Sequence, residues 1–228
     1  MHNGMKTAYE NRDRAVIFDM DGLIFDTENL YTEAWIHAGQ ETGYPITRAF
    51  MLSMRGADRT RSERLFRETF GATFPVEKLR SIRTAYVDAH MARHGVPIKK
   101  GLIPLLNHLK ENRYKVALAT STARETAEKF LKLAGVDLYF DYCIFGDQVA
   151  NCKPDPEIFI KASKGLGTAP ESCFVFEDSI FGVTAAHRAG CKVIMVPDGI
   201  EPDRETETYL YAKCESLLEG LEVLRKWE

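Results

Sequence analysis

No stretch of the 228 residues holds the run of about 18 or more apolar residues that a membrane-spanning helix needs. The polar start, residues 1–14, also lacks the apolar segment of a secretory signal. The expectation is a cytoplasmic protein without a membrane partner. Charge of one sign is missing too. Against 30 Lys and Arg stand 33 Asp and Glu, a net charge of −3, so no broad field invites nucleic acid. Cysteine is scarce: Cys143, Cys152, Cys173, Cys191 and Cys214 are odd in number, widely spaced and never arranged as Cys-x-x-Cys. They read as reduced, mostly structural thiols. There is no internal repeat and no low-complexity tract. What remains, 45% hydrophobic and 28% charged, is a globular chain long enough for one large domain or a domain with a smaller insertion.

The informative stretch is Val16-Ile17-Phe18-Asp19-Met20-Asp21-Gly22. Its apolar, β-branched and aromatic residues suit a strand buried on both faces of a parallel sheet. Asp19 then lies at the carboxyl end of that strand, where open α/β sheets bind ligands. Two carboxylates two residues apart, beside a glycine that permits a sharp turn, repel one another unless a cation or shared proton is present. The local alternative is helix capping or an Asx turn.

Helical spacing follows, from Leu30-Tyr31 through Trp35, Ala38 and Thr42 to a stop near Gly43, with Asp26 or Thr27 as N-cap. Further helices are expected at 59–70 and 76–93, with no strand pattern between them. Some 70 helical residues at that place read as an inserted bundle and not as a crossover. From Gly101 helices and strands alternate: helix 102–111, strand 115–119, helix 124–134, strand 142–145, helix 155–164, strand 173–176, helix 179–189, strand 192–196 and helix 216–227. Such alternation predicts a doubly wound, Rossmann-like parallel α/β sheet. The expected division is a core of residues 1–26 and 97–228 and an inserted helical cap of residues 27–96, lying over the sheet's carboxyl edge.

Three other strand ends carry chemistry. Thr120-Ser121-Thr122 leads into a helix, where a hydroxyl and free amides suit phosphate; ordinary N-capping is the alternative. In Lys153-Pro154-Asp155-Pro156 the prolines fix the approach of the chain and Lys153 can be held inward, although a loop lysine is commonly solvated. Glu177-Asp178 closes an apolar strand with a second acidic pair, suited to a hard cation such as Mg²⁺, or else to capping. The turn at Asp198-Gly199-Ile200-Glu201-Pro202 reads as a turn without catalytic role.

Taken in order, these four motifs resemble those of the haloacid dehalogenase-like hydrolase superfamily. Asp-x-Asp-Gly-x-x-x-Asp-Thr-Glu, Lys-Pro-Asp-Pro and Phe-Glu-Asp-Ser, with the early helical insert, are similar to its β-phosphoglucomutase-like branch. The resemblance implies a Mg²⁺-dependent phosphatase acting on a small phosphorylated metabolite through an aspartyl-phosphate. It implies Asp19 as nucleophile, Asp21 as acid and base, and Lys153 and Thr120 as further catalytic residues. Met20, Thr120, Ser121 and Lys153 would contact phosphate, and Asp19, Asp21, Glu177 and Asp178 would bind metal. From the cap it implies Gly56 and Arg59 as substrate contacts; for Arg59 the alternative is a solvated side chain among Arg55, Arg61 and Arg64.

One departure bears on the reaction. Where the mutases of the branch carry a histidine on the first cap helix, this chain has Tyr31, and His37 is out of register. Hydrolysis is therefore favoured over phosphosugar mutation, the runner-up. A dehalogenase would lack the second Asp, and a receiver-type signalling module would carry its acidic pair differently and have no insert. A monomer is expected.

Overall fold

The computed structural model describes residues 14–54 and 59–228. In chain order the elements are β1 (Ala15–Phe18), α1 (Thr27–Thr42), α2 (Arg48–Ser53), α3 (Arg59–Phe70), α4 (Val76–His94) and α5 (Leu102–Glu111). They continue with β2 (Lys115–Ala119), α6 (Arg124–Ala134), β3 (Tyr142–Ile144), α7 (Glu157–Gly165), β4 (Cys173–Glu177), α8 (Ile180–Arg188), β5 (Lys192–Met195), α9 (Arg204–Glu207), β6 (Leu210–Lys213) and α10 (Leu217–Trp227). The chain divides into two compact units, residues 1–25 with 98–228 and residues 26–97. Among the described residues no helix is long and apolar enough to cross a membrane.

In the first unit six parallel strands lie in the order β3-β2-β1-β4-β5-β6. Every residue of β1 is buried. Side chains alternate across a strand, so Ala15 and Ile17 face one way and Val16 and Phe18 the other. Ile17, Ala117 and Val175 form one core with Ile158, Phe159 and Ala162 of α7 and Val183 and Ala186 of α8. On the opposite face Phe18 stacks on Phe176 at 5.2 Å, and Phe174 meets Trp227 of α10 at 4.9 Å. Each fully buried Phe contributes about 1.5–3 kcal/mol by leaving water. Helices on both faces and strands running outward in both directions from β1 make the doubly wound α/β arrangement expected. The strand order reverses beside β1, which opens a crevice at the carboxyl ends of β1, β2 and β4.

The structure adds elements that periodicity did not indicate. β6 pairs with β5 across a register irregularity at Val193 and Ile194, and its four residues are half-buried or exposed. An edge strand this short leaves little alternation to read. α2 is six residues long and owes its start to Thr47, whose hydroxyl accepts from the Phe50 amide at 3.2 Å. α7 begins at Glu157 and not at Asp155, because Asp155 lies outside the helix and its carboxylate accepts from the Glu157 amide at 2.9 Å.

The second unit is helical. α1 packs along α4, and Trp35, Phe66, Phe74 and Leu79 lie in its core. The Phe66 and Phe74 rings stack at 5.0 Å, and Trp35 lies 4.6 Å from Phe66.

Candidate active site

Asp19 directly follows β1, buried, with its amide still donating to the Phe176 carbonyl at 3.1 Å. The chain then turns tightly around one acceptor. The Met20 carbonyl receives the amides of Leu23, Ile24 and Phe25 at 3.3, 3.0 and 3.1 Å. Gly22 adopts φ +84, and a Cβ there would collide with Asp178 Oδ2 and lie 3.2 Å from Asp198 Oδ2. Backbone angle and space both demand glycine. The loop after β1 thus brings Asp19 and Gly22 to the Asp178 carboxylate beyond β4.

Lys153 holds the centre. Its Nζ donates to Asp19 Oδ1 at 2.5 Å, to Glu177 Oε1 at 2.6 Å and to the Ala119 carbonyl at 3.2 Å, so three strand ends converge on one ammonium. Lysine and glutamate side chains here are 8% and 1% exposed, a depth at which an unpaired ion would cost several kcal/mol. The other oxygen of Glu177 accepts from the Asp178 amide, the Ser179 amide and the Ser179 hydroxyl at 2.9, 2.9 and 3.0 Å. A Cβ on Gly182 would overlap the Glu177 carboxylate, so that glycine makes room for it. The loop bearing Lys153 is tied down by Glu157, which accepts from the amides of Ala150 and Asn151 and pairs with Lys161 at 2.6 Å. The Lys153–Pro154 peptide is cis.

Burial pushes the Asp19 carboxyl up to about 7; Lys153 opposes this, and the negative charges of Glu177 and Asp21 add to it. For Lys153 burial alone would lower the ammonium, but Asp19 and Glu177 outweigh it and hold it above its ordinary value. Lys153 therefore stays charged, while Asp19 sits among more negative charge than one lysine neutralises. Carboxylate oxygens of Asp19, Glu177 and Asp178 can all lie within 4.8 Å of one another. This oxygen-only donor set suits a hard divalent cation, which would relieve the repulsion. Asp19 and Asp178 fit as ligands better than Glu177, whose two oxygens already serve protein donors.

None of Asp19, Asp21, Thr120 and Asp178 is the N-cap of the helix that follows it. The N-cap of α6 is Ala123, without a side-chain bond, and that of α8 is Ser179, whose hydroxyl accepts from the Gly182 amide. Thr120 is buried, and its hydroxyl accepts from the Thr122 amide at 3.1 Å; Ser121 beside it is exposed. The α1 cap, Asp26, likewise makes no side-chain capping bond.

Within the helical unit Arg59 opens α3 and donates to Glu63 and Glu77, each at 3.1 Å, partners with which a phosphate would compete. Gly56 lies outside the described residues. Arg83 lies over the Tyr31 ring at 5.1 Å, and His37 pairs with Glu41 at 3.0 Å.

Two contacts in the core unit were not indicated by any sequence motif. Asp198, read as part of a plain turn, has its Oδ2 beside the space above Gly22 that Asp178 also borders, and pairs with Lys99 at 2.9 Å. Its position just past β5 was the available signal. Thr122 donates its hydroxyl to Asp21 Oδ2 at 2.6 Å, across 101 residues of chain.

Residues 16–196 match the haloacid dehalogenase-like hydrolase family, and the chain belongs to it. It is 36% identical over 180 residues to the phosphorylated carbohydrates phosphatase of Thermotoga maritima, covering 79% of this chain and 83% of that one. It is 30% identical over 187 residues to the fructose-1-phosphate phosphatase of Escherichia coli, covering 81% and 97%. The fold superposes on the crystal structure of β-phosphoglucomutase from Clostridium difficile with a TM-score of 0.76 at 26% identity, covering 93% of this chain and 96% of that one. Within the family the chain is a phosphomonoester hydrolase.

Proposed function

We propose that this phosphatase hydrolyses a small phosphorylated metabolite, a sugar phosphate or nucleotide-type monoester, through a covalent aspartyl-phosphate. The observation that carries the reading is Lys153, whose buried ammonium joins Asp19 to Glu177 at the crevice of the sheet. In the first step an Asp19 oxygen forms a bond to phosphorus as the bond to the substrate's alcohol oxygen breaks, and Asp21 gives that oxygen its proton. In the second, water attacks the same phosphorus, Asp21 takes its proton, and the Asp19 carboxylate leaves with release of inorganic phosphate. Splitting the displacement in two lowers each barrier. Lys153 keeps Asp19 aimed and offers positive charge to the transferring oxygens, with Thr120 and the backbone at Met20 and Ser121 as further phosphate donors.

Mg²⁺, held by Asp19 and Asp178 with the Asp21 carbonyl and Glu177 beside them, would reduce the repulsion between an anionic nucleophile and an anionic ester. Relatives that carry the names of carbohydrate and fructose 1-phosphate phosphatases support a sugar phosphate as substrate. The likeness to a β-phosphoglucomutase favours a second reading, phosphosugar mutation. Tyr31, at the position where the mutases carry a histidine, speaks for hydrolysis.

Phosphorus NMR with Mg²⁺ and a panel of sugar and nucleoside monophosphates separates the two. The panel includes β-glucose 1-phosphate with a bisphosphate primer. Inorganic phosphate is expected, lost with chelator and in Asp19→Asn. Glucose 6-phosphate without phosphate release would establish the mutase instead, and turnover retained in Asp19→Asn would overturn the aspartyl-phosphate route.

A further inference from the structure

The bond between Thr122 and Asp21 is unlike the other contacts of the phosphate loop, because it reaches the group that must move protons. Thr122 is itself held on three sides. Its amide donates to the Thr120 hydroxyl at 3.1 Å, its carbonyl accepts from the Gly146 amide at 3.0 Å, and its hydroxyl donates to Asp21 Oδ2 at 2.6 Å. The first two bonds fix the backbone of the loop after β2, so the hydroxyl is presented from a rigid support. Asp21, by contrast, stands on the turn after β1, where the backbone alone leaves its side-chain torsions open.

We infer that Thr122 is a positioning residue for acid and base catalysis: its hydroxyl, bonded to Oδ2, fixes the Asp21 rotamer from the loop after β2. In the first step the Asp21 proton passes to the departing alcohol oxygen while the Asp19–phosphorus bond forms. In the second, the Asp21 carboxylate receives the proton of the attacking water as the Asp19–phosphorus bond breaks. The inference rests on the reading of Asp21 as acid and base.

The leaving group provides the test. An alkyl phosphate expels a poor leaving group and needs the proton, whereas 4-nitrophenyl phosphate expels a stable phenolate and does not. kcat/KM reads the steps up to departure of the alcohol, which isolates the acid from the later base. Thr122→Val removes the hydroxyl at nearly constant shape, Thr122→Ala replaces it if the first variant unfolds, and Thr122→Ser keeps the hydroxyl. General acids contribute about 10²–10⁴-fold, so mispositioning is expected to lower kcat/KM on an alkyl phosphate by about 10-fold or more. On 4-nitrophenyl phosphate kcat/KM should stay close to wild type, inhibition by inorganic phosphate should be unchanged, and Thr122→Ser should restore the alkyl rate. Equal loss on both esters, no loss on either, or failure of serine to rescue would each overturn the inference. Asp21→Asn is run beside them. If it too fails to separate the esters, the acid assignment itself falls; if it separates them and Thr122→Val does not, only the positioning role falls.

Discussion

Two networks of carboxylates and cations, one in each unit, are built from the same chemistry with opposite consequences. In the core unit Lys153 joins Asp19 and Glu177 with almost no access to water. In the helical unit Arg59 and Arg80 share Glu63 and Glu77, and both Arg59 and Glu77 remain 70% exposed. Water screens the Arg59–Glu77 pair of the second network, and solvated pairs of that kind contribute little to stability, while Arg80 and Glu63 are 19% and 24% exposed. The first is formed against a large desolvation penalty, so its geometry must be complete, and its excess of buried negative charge is what the proposed cation would relieve. Ion pairs read from sequence alone would rank the two alike; burial separates them.

The comparison breaks most visibly at Asp19. On the proposed route Asp19→Asn removes the nucleophile, and it is expected to cut turnover by about 10⁴-fold or more while circular dichroism stays native. Next comes Lys153→Met, which leaves two buried carboxylates without their cation. Denaturant unfolding should show a loss of about 3 kcal/mol or more, alongside a large loss of kcat.

Metal sharpens the contrast. If Mg²⁺ relieves the acidic excess, a hundredfold excess over its Kd should raise unfolding free energy by roughly 2.7 kcal/mol, and Asp178→Asn should abolish that gain in thermal melts. Chelator should stop turnover without unfolding the chain.

A smaller effect is expected at Glu157, whose carboxyl is held down at about 2, first by Lys161 and then by the Ala150 and Asn151 amides. A carboxyl lowered on folding stabilises the native state above its ordinary value of 4.5, and that contribution is lost as pH falls from there toward about 2. Glu157→Gln should therefore flatten the acid side of a stability–pH curve, and kcat should fall as the Lys153 loop loosens. Least of all should follow from Arg59→Ala, whose melting temperature is expected to match wild type within error. A raised KM in that variant would assign Arg59 to substrate; an unchanged KM would leave it to its glutamates.

Much of the core was legible because buried parallel strands are short, wholly apolar and punctuated by polar ends. Lys115–Ala119 and Arg124–Ala134 have the bounds expected of them. β6 and α2 were illegible for the reverse reason: an edge strand of four residues and a helix of six bury too little to impose a period. Asp19 and Asp178 stood out as polar residues at strand ends, and Lys153 as a lysine ahead of two prolines at a helix start. The bond from Thr122 to Asp21 and the place of Asp198 beside Gly22 had no local pattern to announce them.

By itself, then, the sequence determined the alternation of strands and helices, the strand ends where polar residues gather and the family they resemble, because each depends on neighbours a few positions apart. Only the tertiary structure decided which oxygen meets which donor. Lys153 reaches residues 134 and 24 positions away because the order of parallel strands places their ends side by side. Burial, which gives those contacts their electrostatic force, is a property of the packed sheet and of no single segment.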